Sequence, residues 1–142
     1  MNLQELSGLE VFMAMKEGRI PYPSMTQTIP MRCVEVEKGF IRIQTRADSR
    51  HMTLGGVHGG FSATVLDGAT ASAVHTTLEP GEGCSTLDLN IKILKPVPLD
   101  TDLIAEGEII HTSKRIGVSK GTLKDNQGTL YAYATTTCAI FR

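Results

Sequence analysis

Several classes of protein can be set aside because the chain lacks the features that define them. The sequence has no tryptophan, its net charge is −1, and its 14 Lys and Arg residues are scattered over 142 residues. Because nucleic-acid surfaces carry clustered basic residues, no nucleic-acid partner is expected. The N-terminal residues lack a basic stretch followed by a clean apolar run, so no signal peptide is expected. No apolar run is free enough of polar residues to cross a bilayer, so no membrane association is expected.

Cysteine is also sparse, and its pattern is informative. Cys33, Cys84 and Cys138 are odd in number and widely spaced. This pattern favours free thiols in a reducing compartment over disulfides or zinc, and it predicts a cytoplasmic location. The four histidines show no metal-ligand spacing, so no metal site is expected.

The chain does contain one unusual segment, residues 59–78, in which Asp67 is the only charged residue. Most of its other residues are apolar, small or hydroxyl-bearing, which is typical of a buried helix. A carboxylate inside a buried helix is costly unless it is paired or used in chemistry. The pair Gly59-Gly60 opens the segment and exposes backbone N–H groups that can bind an oxyanion. A carboxylate and N–H donors on one helix predict an acyl-transfer site.

The spacing within this segment predicts a site shared by two chains. Seven residues separate Gly60 from Asp67, which places them about 10 Å apart along a helix axis. One helix therefore cannot bring its own first turn and Asp67 to the same carbonyl group. Two such helices packed antiparallel across a dimer interface could do so.

The remaining sequence predicts one α+β domain spanning residues 1–142. Apolar residues at helical spacing predict an N-terminal helix within residues 1–18, capped by Asn2. Alternating residues around Lys38-Gly39 predict a hairpin, and four further strands follow the long helix. They are expected at residues 86–94, 103–111, 116–124 and 129–141, the last two joined by a turn at 125–128. Short turns imply an antiparallel β-sheet, and we expect it to curve around the long central helix, which has apolar sides to bury.

Three local stretches carry a resemblance to a known family. They are residues 55–60 followed by Leu66-Asp67, the strand at 86–96, and the C-terminal hairpin with Ala132 and Ala134. Together they cover more than half of the chain and resemble a hotdog-fold acyl-CoA thioesterase of the phenylacetic-acid-degradation (PaaI-like) type. The expected architecture is thus a hotdog fold.

The resemblance implies a homodimer or homotetramer with active sites at a subunit interface. It implies that Asp67 is the nucleophile or general base and that the Gly59 N–H polarises the thioester carbonyl. It gives Thr86 a role in placing water. The implied substrate is an aryl- or short- to medium-chain acyl-CoA, and no separate cofactor is implied because coenzyme A is part of the substrate. One departure is Met52, which stands where related sequences often carry an Asn.

Other candidate residues have a chemical and a plain structural interpretation. His58 could take part in catalysis or hold its loop through backbone hydrogen bonds. Ser85 is an alternative to Thr86, and either could be an ordinary strand residue. The remaining candidates for substrate or coenzyme A binding are Gly60, Met52, Phe61, Lys114 and Arg115, for which packing or a solvated turn are the alternatives.

Two other functions compete with hydrolysis. A non-catalytic acyl-CoA binding or sensing dimer is the main alternative, because Met52 replaces the usual Asn. A hotdog hydratase or dehydratase would need an acid–base pair, for which Asp48 with His51 or His58 could be considered. Their spacing does not resemble the motif of that family, so this function ranks last.

Overall fold

The computed structural model describes all of residues 1–142. It contains three α-helices and eight β-strands. The helices are α1 (Gly8–Lys16), α2 (Met25–Thr28) and α3 (Gly59–His75). The strands are β1 (Arg32–Glu37), β2 (Phe40–Thr45), β3 (Met52–Thr53), β4 (Gly56–Val57), β5 (Gly83–Ile93), β6 (Leu103–Thr112), β7 (Ile116–Asp125) and β8 (Leu130–Phe141).

Six of the strands form one curved antiparallel sheet in the order β1-β2-β6-β7-β8-β5. The predicted hairpin turn is present at Gly39, whose φ of 86° suits glycine. The predicted turn before β8 is also present, because Asp125 accepts hydrogen bonds from the N–H groups of Gln127 and Thr129. The strand that follows α3, β5, lies at one edge of the sheet, so one side of it is free to pair. The predicted α+β architecture, with a curved antiparallel sheet around a long helix, is confirmed.

Close approach between α3 and the sheet depends on small residues. A Cβ on Gly107 of β6 would lie 2.1 Å from the Ala69 carbonyl oxygen, and one on Gly121 of β7 would lie 2.8 Å from the Thr70 methyl carbon. Glycine at these positions therefore lets the helix backbone pack directly on the strands. Buried polar groups between the layers are paired, since the Ser119 hydroxyl donates to the Thr70 carbonyl at 2.8 Å.

The N-terminal helix differs from the prediction at its start. Asn2 caps only a short 3₁₀ turn, and α1 begins at Gly8 after a capping box formed by Ser7 and Glu10. The start is fixed by contact with the turn that follows α3, because the Gly8 N–H donates to the Leu78 carbonyl at 3.0 Å. A Cβ on Gly8 would lie 1.7 Å from the His75 carbonyl oxygen, so only glycine fits there.

The segment between β2 and α3 contains a 3₁₀ turn at Ser49–His51 and the two-stranded hairpin of β3 and β4. None of the helices is both long and apolar enough to cross a bilayer.

Candidate active site

Helix α3 has two different faces. Its sheet-facing side is fully buried and includes Leu66, Ala69 and Val74. Its opposite side carries Thr64, Asp67, Gly68, Ser72 and His75, which recur at helical spacing and remain partly accessible. Asp67 therefore points away from the sheet and into a region that a ligand can reach.

Asp67 is held in place by β5. The Thr86 hydroxyl donates a hydrogen bond of 2.8 Å to Asp67 Oδ1. Asp67 Oδ2 accepts no hydrogen bond from the chain, so one carboxylate oxygen is held in place and the other has no partner. Ser85, the alternative considered for Thr86, is exposed on the same strand and makes no side-chain hydrogen bond. The structure thus brings together Asp67 and Thr86 of the residues predicted to be catalytic.

A cluster of thiols lies behind this pair and was not predicted as part of the site. Cys138 of β8 lies opposite Thr86 in the sheet, and the neighbouring Cys84 thiol lowers the pKa of Cys138 to about 7 despite its burial. The same pairing raises the pKa of Cys84. Cys84 Sγ also lies 3.9 Å from His75 Nδ1, and burial lowers the pKa of His75. The sequence spacing indicates this cluster. Cys84 and Thr86 are two residues apart in a strand and Asp67 and His75 are eight apart in a helix, so each pair shares one face of its element.

The other predicted half of the site is the start of α3. His58 is the N-cap residue, and its Nδ1 accepts a hydrogen bond of 2.7 Å from the Gly60 N–H. The Gly60 N–H is therefore engaged, whereas the Gly59 N–H has no partner in the chain and can bind a ligand. A Cβ on Gly59 would lie 3.1 Å from Ile93 Cδ1, so the helix start lies beside the end of β5.

The two halves do not meet within one chain. Gly59 lies at the Ile93 end of β5, while Asp67 is bonded to Thr86 near the other end of the strand. Both halves therefore lie along the same free edge of the sheet. Leu87 and Ile93 on this edge strand are 65% and 50% exposed, so the edge carries apolar surface that a partner chain can cover.

A cavity of about 420 Å³ opens next to Asp67. It lies between the inner side of α1, the outward face of α3 and the first two strands, and Phe12, Met15, Met31 and Ile43 contribute to its wall. A volume of this size is within the range of small-molecule sites, roughly 300–1,000 Å³. The cavity was not predicted, because the sequence does not show which face of α3 the N-terminal helix covers.

The structure places the residues predicted to bind substrate or coenzyme A elsewhere. Phe61 is 2% exposed and belongs to the hydrophobic core, and Met52 is exposed on the small β3–β4 hairpin. Neither borders the cavity next to Asp67. Lys114 and Arg115 are exposed in the turn between β6 and β7, beside the C-terminal strand, and one chain does not bring them to Asp67.

Asp48 and His51, the acid–base pair considered for a hydratase, form hydrogen bonds and an ion pair within their own loop and its neighbours. His51 is buried, its Nδ1 accepts from the Asp48 N–H at 3.0 Å, and its Nε2 lies 2.7 Å from the Thr28 carbonyl oxygen. Both ring nitrogens of His51 are therefore engaged. The Asp48 carboxylate is paired with Arg50, which lowers the pKa of Asp48. The His51 carbonyl accepts from the His58 N–H at 2.8 Å, so this loop serves to position His58.

The architecture described above is that of the hotdog-fold thioesterases, as the sequence resemblance predicted. Residues 54–132, more than half of the chain, match the thioesterase superfamily. The chain therefore belongs to this superfamily.

Individual relatives agree with this assignment. A solved structure from Ralstonia eutropha, described as a candidate thioesterase related to phenylacetic acid degradation, is 30% identical, covers 90% of this chain and 98% of its own, and has a TM-score of 0.82. A Streptococcus mutans protein bound to acetyl CoA is 25% identical over 78% of this chain and 88% of its own, with a TM-score of 0.72. A candidate esterase of Halobacterium salinarum is 35% identical over 68 residues, and this match spans 46% of the chain and 44% of that relative.

Proposed function

We propose that this protein hydrolyses acyl-CoA thioesters to the free acid and coenzyme A in a site built from two subunits. The observation that carries the proposal is Asp67, the single charge of a long apolar helix, held by Thr86 at the edge of a cavity. A relative that binds acetyl CoA supports the substrate class.

Asp67 supplies the attacking group. Because Thr86 fixes Oδ1, the free Oδ2 can either attack the thioester carbonyl or take a proton from a water that attacks it. In the first route a mixed anhydride forms, the coenzyme A thiolate leaves and is protonated, and water then cleaves the anhydride. In the second route water adds directly, and the thiolate leaves with the proton that Asp67 accepted. Where water attacks the Asp67 carbonyl carbon of the anhydride, the acid leaves in the first turnover with an oxygen from Asp67, whereas in the second route that oxygen comes from water.

The Gly59 N–H stabilises the oxyanion that forms in either route. This donor has no partner in the chain and lies at the positive end of the α3 dipole. The neighbouring Gly60 N–H already donates to His58 Nδ1, so it is not available to the substrate. His58 therefore acts through the shape of the helix start in this proposal, with no role in proton transfer.

A second copy of the chain completes the site. Antiparallel pairing of two β5 edges places the Ile93 end of one strand, with Gly59, beside the Thr86 end of the other, with Asp67. The same pairing covers the exposed apolar side chains of this edge. We therefore propose a homodimer, alone or within a homotetramer, with two equivalent sites and no cofactor besides the coenzyme A of the substrate, acting in the cytoplasm.

The coenzyme A portion would extend away from the cavity. Lys114 and Arg115 are solvent-exposed cations that can bind phosphate groups, and in this proposal they do so where the dimer brings them near a partner's site. The acyl group is aryl or short to medium in length.

The test is release of free thiol from a panel of aryl- and alkyl-CoA esters by the wild type and by Asp67→Asn. We expect turnover by the wild type and a loss of about 10³-fold or more in kcat for the variant, because the attacking group is removed. The Asn side chain keeps the shape and can still accept from Thr86, so the variant should remain folded and dimeric. Full activity of Asp67→Asn would contradict the proposal. Acyl-CoA binding without hydrolysis by the wild type would instead favour a binding or sensing dimer, for which Met52 in place of the usual Asn is the supporting feature.

A further inference from the structure

The cavity beside Asp67 has a chemistry that defines what can occupy it. Among its lining residues Asp67 is the only Asp, Glu, Lys or Arg. The rest of the wall is mostly apolar and includes Phe12, Met15, Met31 and Ile43. A cavity with one carboxylate and an apolar wall suits a molecule whose reactive atom meets the carboxylate and whose remainder is hydrocarbon. A sugar or a charged metabolite would lose most of its hydration against this wall and gain few polar partners, since only a few hydroxyl-bearing side chains and His75 accompany Asp67.

We propose that this cavity is the acyl pocket, that α1 forms its roof, and that Met31 and Met15 set the size of the acyl group. This inference deepens the proposed hydrolysis, on which it rests. Neither Phe61 nor Met52, the substrate-binding candidates from the sequence, borders this cavity.

Met31 has the position required of a size determinant. Its Sδ lies 2.9 Å from where a Cβ on Gly68 would be, so its side chain lies across the residue that follows Asp67 in α3. The absence of a side chain on Gly68 creates the space that Met31 enters. Methionine is unbranched and flexible, so the wall beside the reacting carbon can adapt to different acyl groups.

The roof is a fixed part of the fold. Helix α1 is anchored to the turn that follows α3 by the hydrogen bond from the Gly8 N–H to the Leu78 carbonyl. Met15 on its inner side is buried and lines the cavity, whereas Met13 on the same helix is exposed and does not. These two methionines therefore form a comparison pair on one helix, in which Met15 borders the cavity and Met13 faces solvent.

The first measurement is binding of a series of straight-chain acyl-CoA esters to the Asp67→Asn protein by titration calorimetry. Burial of one methylene is worth about fourfold in affinity, so we expect the dissociation constant to fall by about that factor per carbon until the pocket is full. In Met31→Ala and in Met15→Ala, each combined with Asp67→Asn, the dissociation constant should keep falling up to longer acyl groups than in Asp67→Asn alone. Met13→Ala in the same background should keep the parent profile, and all variants should keep the parent affinity for coenzyme A itself.

The second measurement is the ratio of kcat/KM between long and short acyl-CoA esters in the Asp67-containing proteins. One methylene accommodated or excluded changes this ratio by roughly tenfold, so Met31→Ala should shift it toward longer esters and Met13→Ala should not. An affinity independent of acyl length, or a length profile unchanged by both Met31→Ala and Met15→Ala, would overturn the acyl-pocket assignment even if hydrolysis is observed. If the dependence of affinity on acyl length shifts as expected but the wild type does not hydrolyse these esters, the acyl pocket is supported. Only the proposed reaction would then be overturned.

Discussion

The two faces of α3 are built from similar residues but have different surroundings: one packs on the sheet and the other borders the cavity. Toward the sheet, Ala69 and Thr70 are fully buried and contact strand backbone or paired hydroxyl groups. Toward α1, Asp67 and Gly68 border a cavity, and the carboxylate keeps one oxygen free. The comparison shows that a single apolar helix can stabilise the domain with one face and hold an accessible carboxylate with the other. Substitutions matched across the two faces should therefore separate stability from activity.

The largest difference in the free energy of unfolding between the two faces is expected from alanine substitutions at two glycines. Gly107→Ala would place a Cβ 2.1 Å from the Ala69 carbonyl oxygen, a backbone atom that cannot move without shifting the helix. We expect the free energy of unfolding to fall by about 3 kcal/mol or more. Gly68→Ala on the outward face would meet only the flexible end of Met31, so its free energy of unfolding should change by less than about 1 kcal/mol. Urea unfolding of both variants measures the difference, and equal losses would contradict the distinction between the faces.

A pair of threonines provides the next comparison. Thr86→Val removes the hydrogen bond to the Asp67 carboxylate, and such bonds are worth about 1.5–3 kcal/mol. We expect kcat to fall roughly 10- to 100-fold with little loss of stability. Thr70→Val removes the buried bond of 2.7 Å to Thr136 and should lower the free energy of unfolding by about 1–3 kcal/mol while leaving kcat nearly unchanged. Acyl-CoA hydrolysis and urea unfolding of both variants test this, and a kcat loss in Thr70→Val equal to that in Thr86→Val would count against it.

The smallest expected effect is a pH dependence that comes from His75. Burial against α1, where Phe12 packs edge-on at 5.6 Å, lowers the pKa of His75 below its ordinary value of 6.5. The unfolded chain therefore binds a proton more readily than the folded one, so stability falls as the pH drops below 6.5. In His75→Gln the fall in the free energy of unfolding from about pH 7 to about pH 5 should be shallower than in the wild type. His111→Gln, at an exposed histidine, is the control, and it should match the wild type.

Much of the fold could be predicted because its signals are local. The glycine turn at Gly39, the turn beginning at Asp125 and the apolar segment around Asp67 each specify their element within a few residues. The start of α1 was wrong by several residues because a tertiary contact between Gly8 and the end of α3 determines it.

The site was only partly predictable for a related reason. Helix α3 itself carries small and apolar residues on all of its sides, so its sequence pattern does not indicate which face contacts the sheet. The pattern therefore leaves Phe61 as a candidate for substrate binding or for packing, and in the structure it lies in the core. Met31 was assigned to no site, because its position beside Gly68 depends on how the first strand and α1 pack over the helix.

The central claim is that Asp67 of one subunit works with the Gly59 N–H of the other, and a hybrid dimer tests it most directly. One chain carries Asp67→Asn and the other Gly59→Pro. Proline suits the first residue of a helix and removes the N–H, and its Cβ would meet only the end of the Ile93 side chain, at 3.1 Å. The preceding His58 already has the extended ψ of 136° that proline requires. The two chains are co-expressed with different affinity tags and the mixed dimer is isolated.

In the mixed dimer one of the two sites combines the intact Asp67 of one chain with the intact Gly59 of the other. We therefore expect both homodimers to be inactive and the mixed dimer to show about half of the wild-type kcat per dimer. A mixed dimer as inactive as its parents would show that both groups must come from the same chain, and a fully active Gly59→Pro homodimer would show that the Gly59 N–H is not the oxyanion donor. Either result would contradict the account.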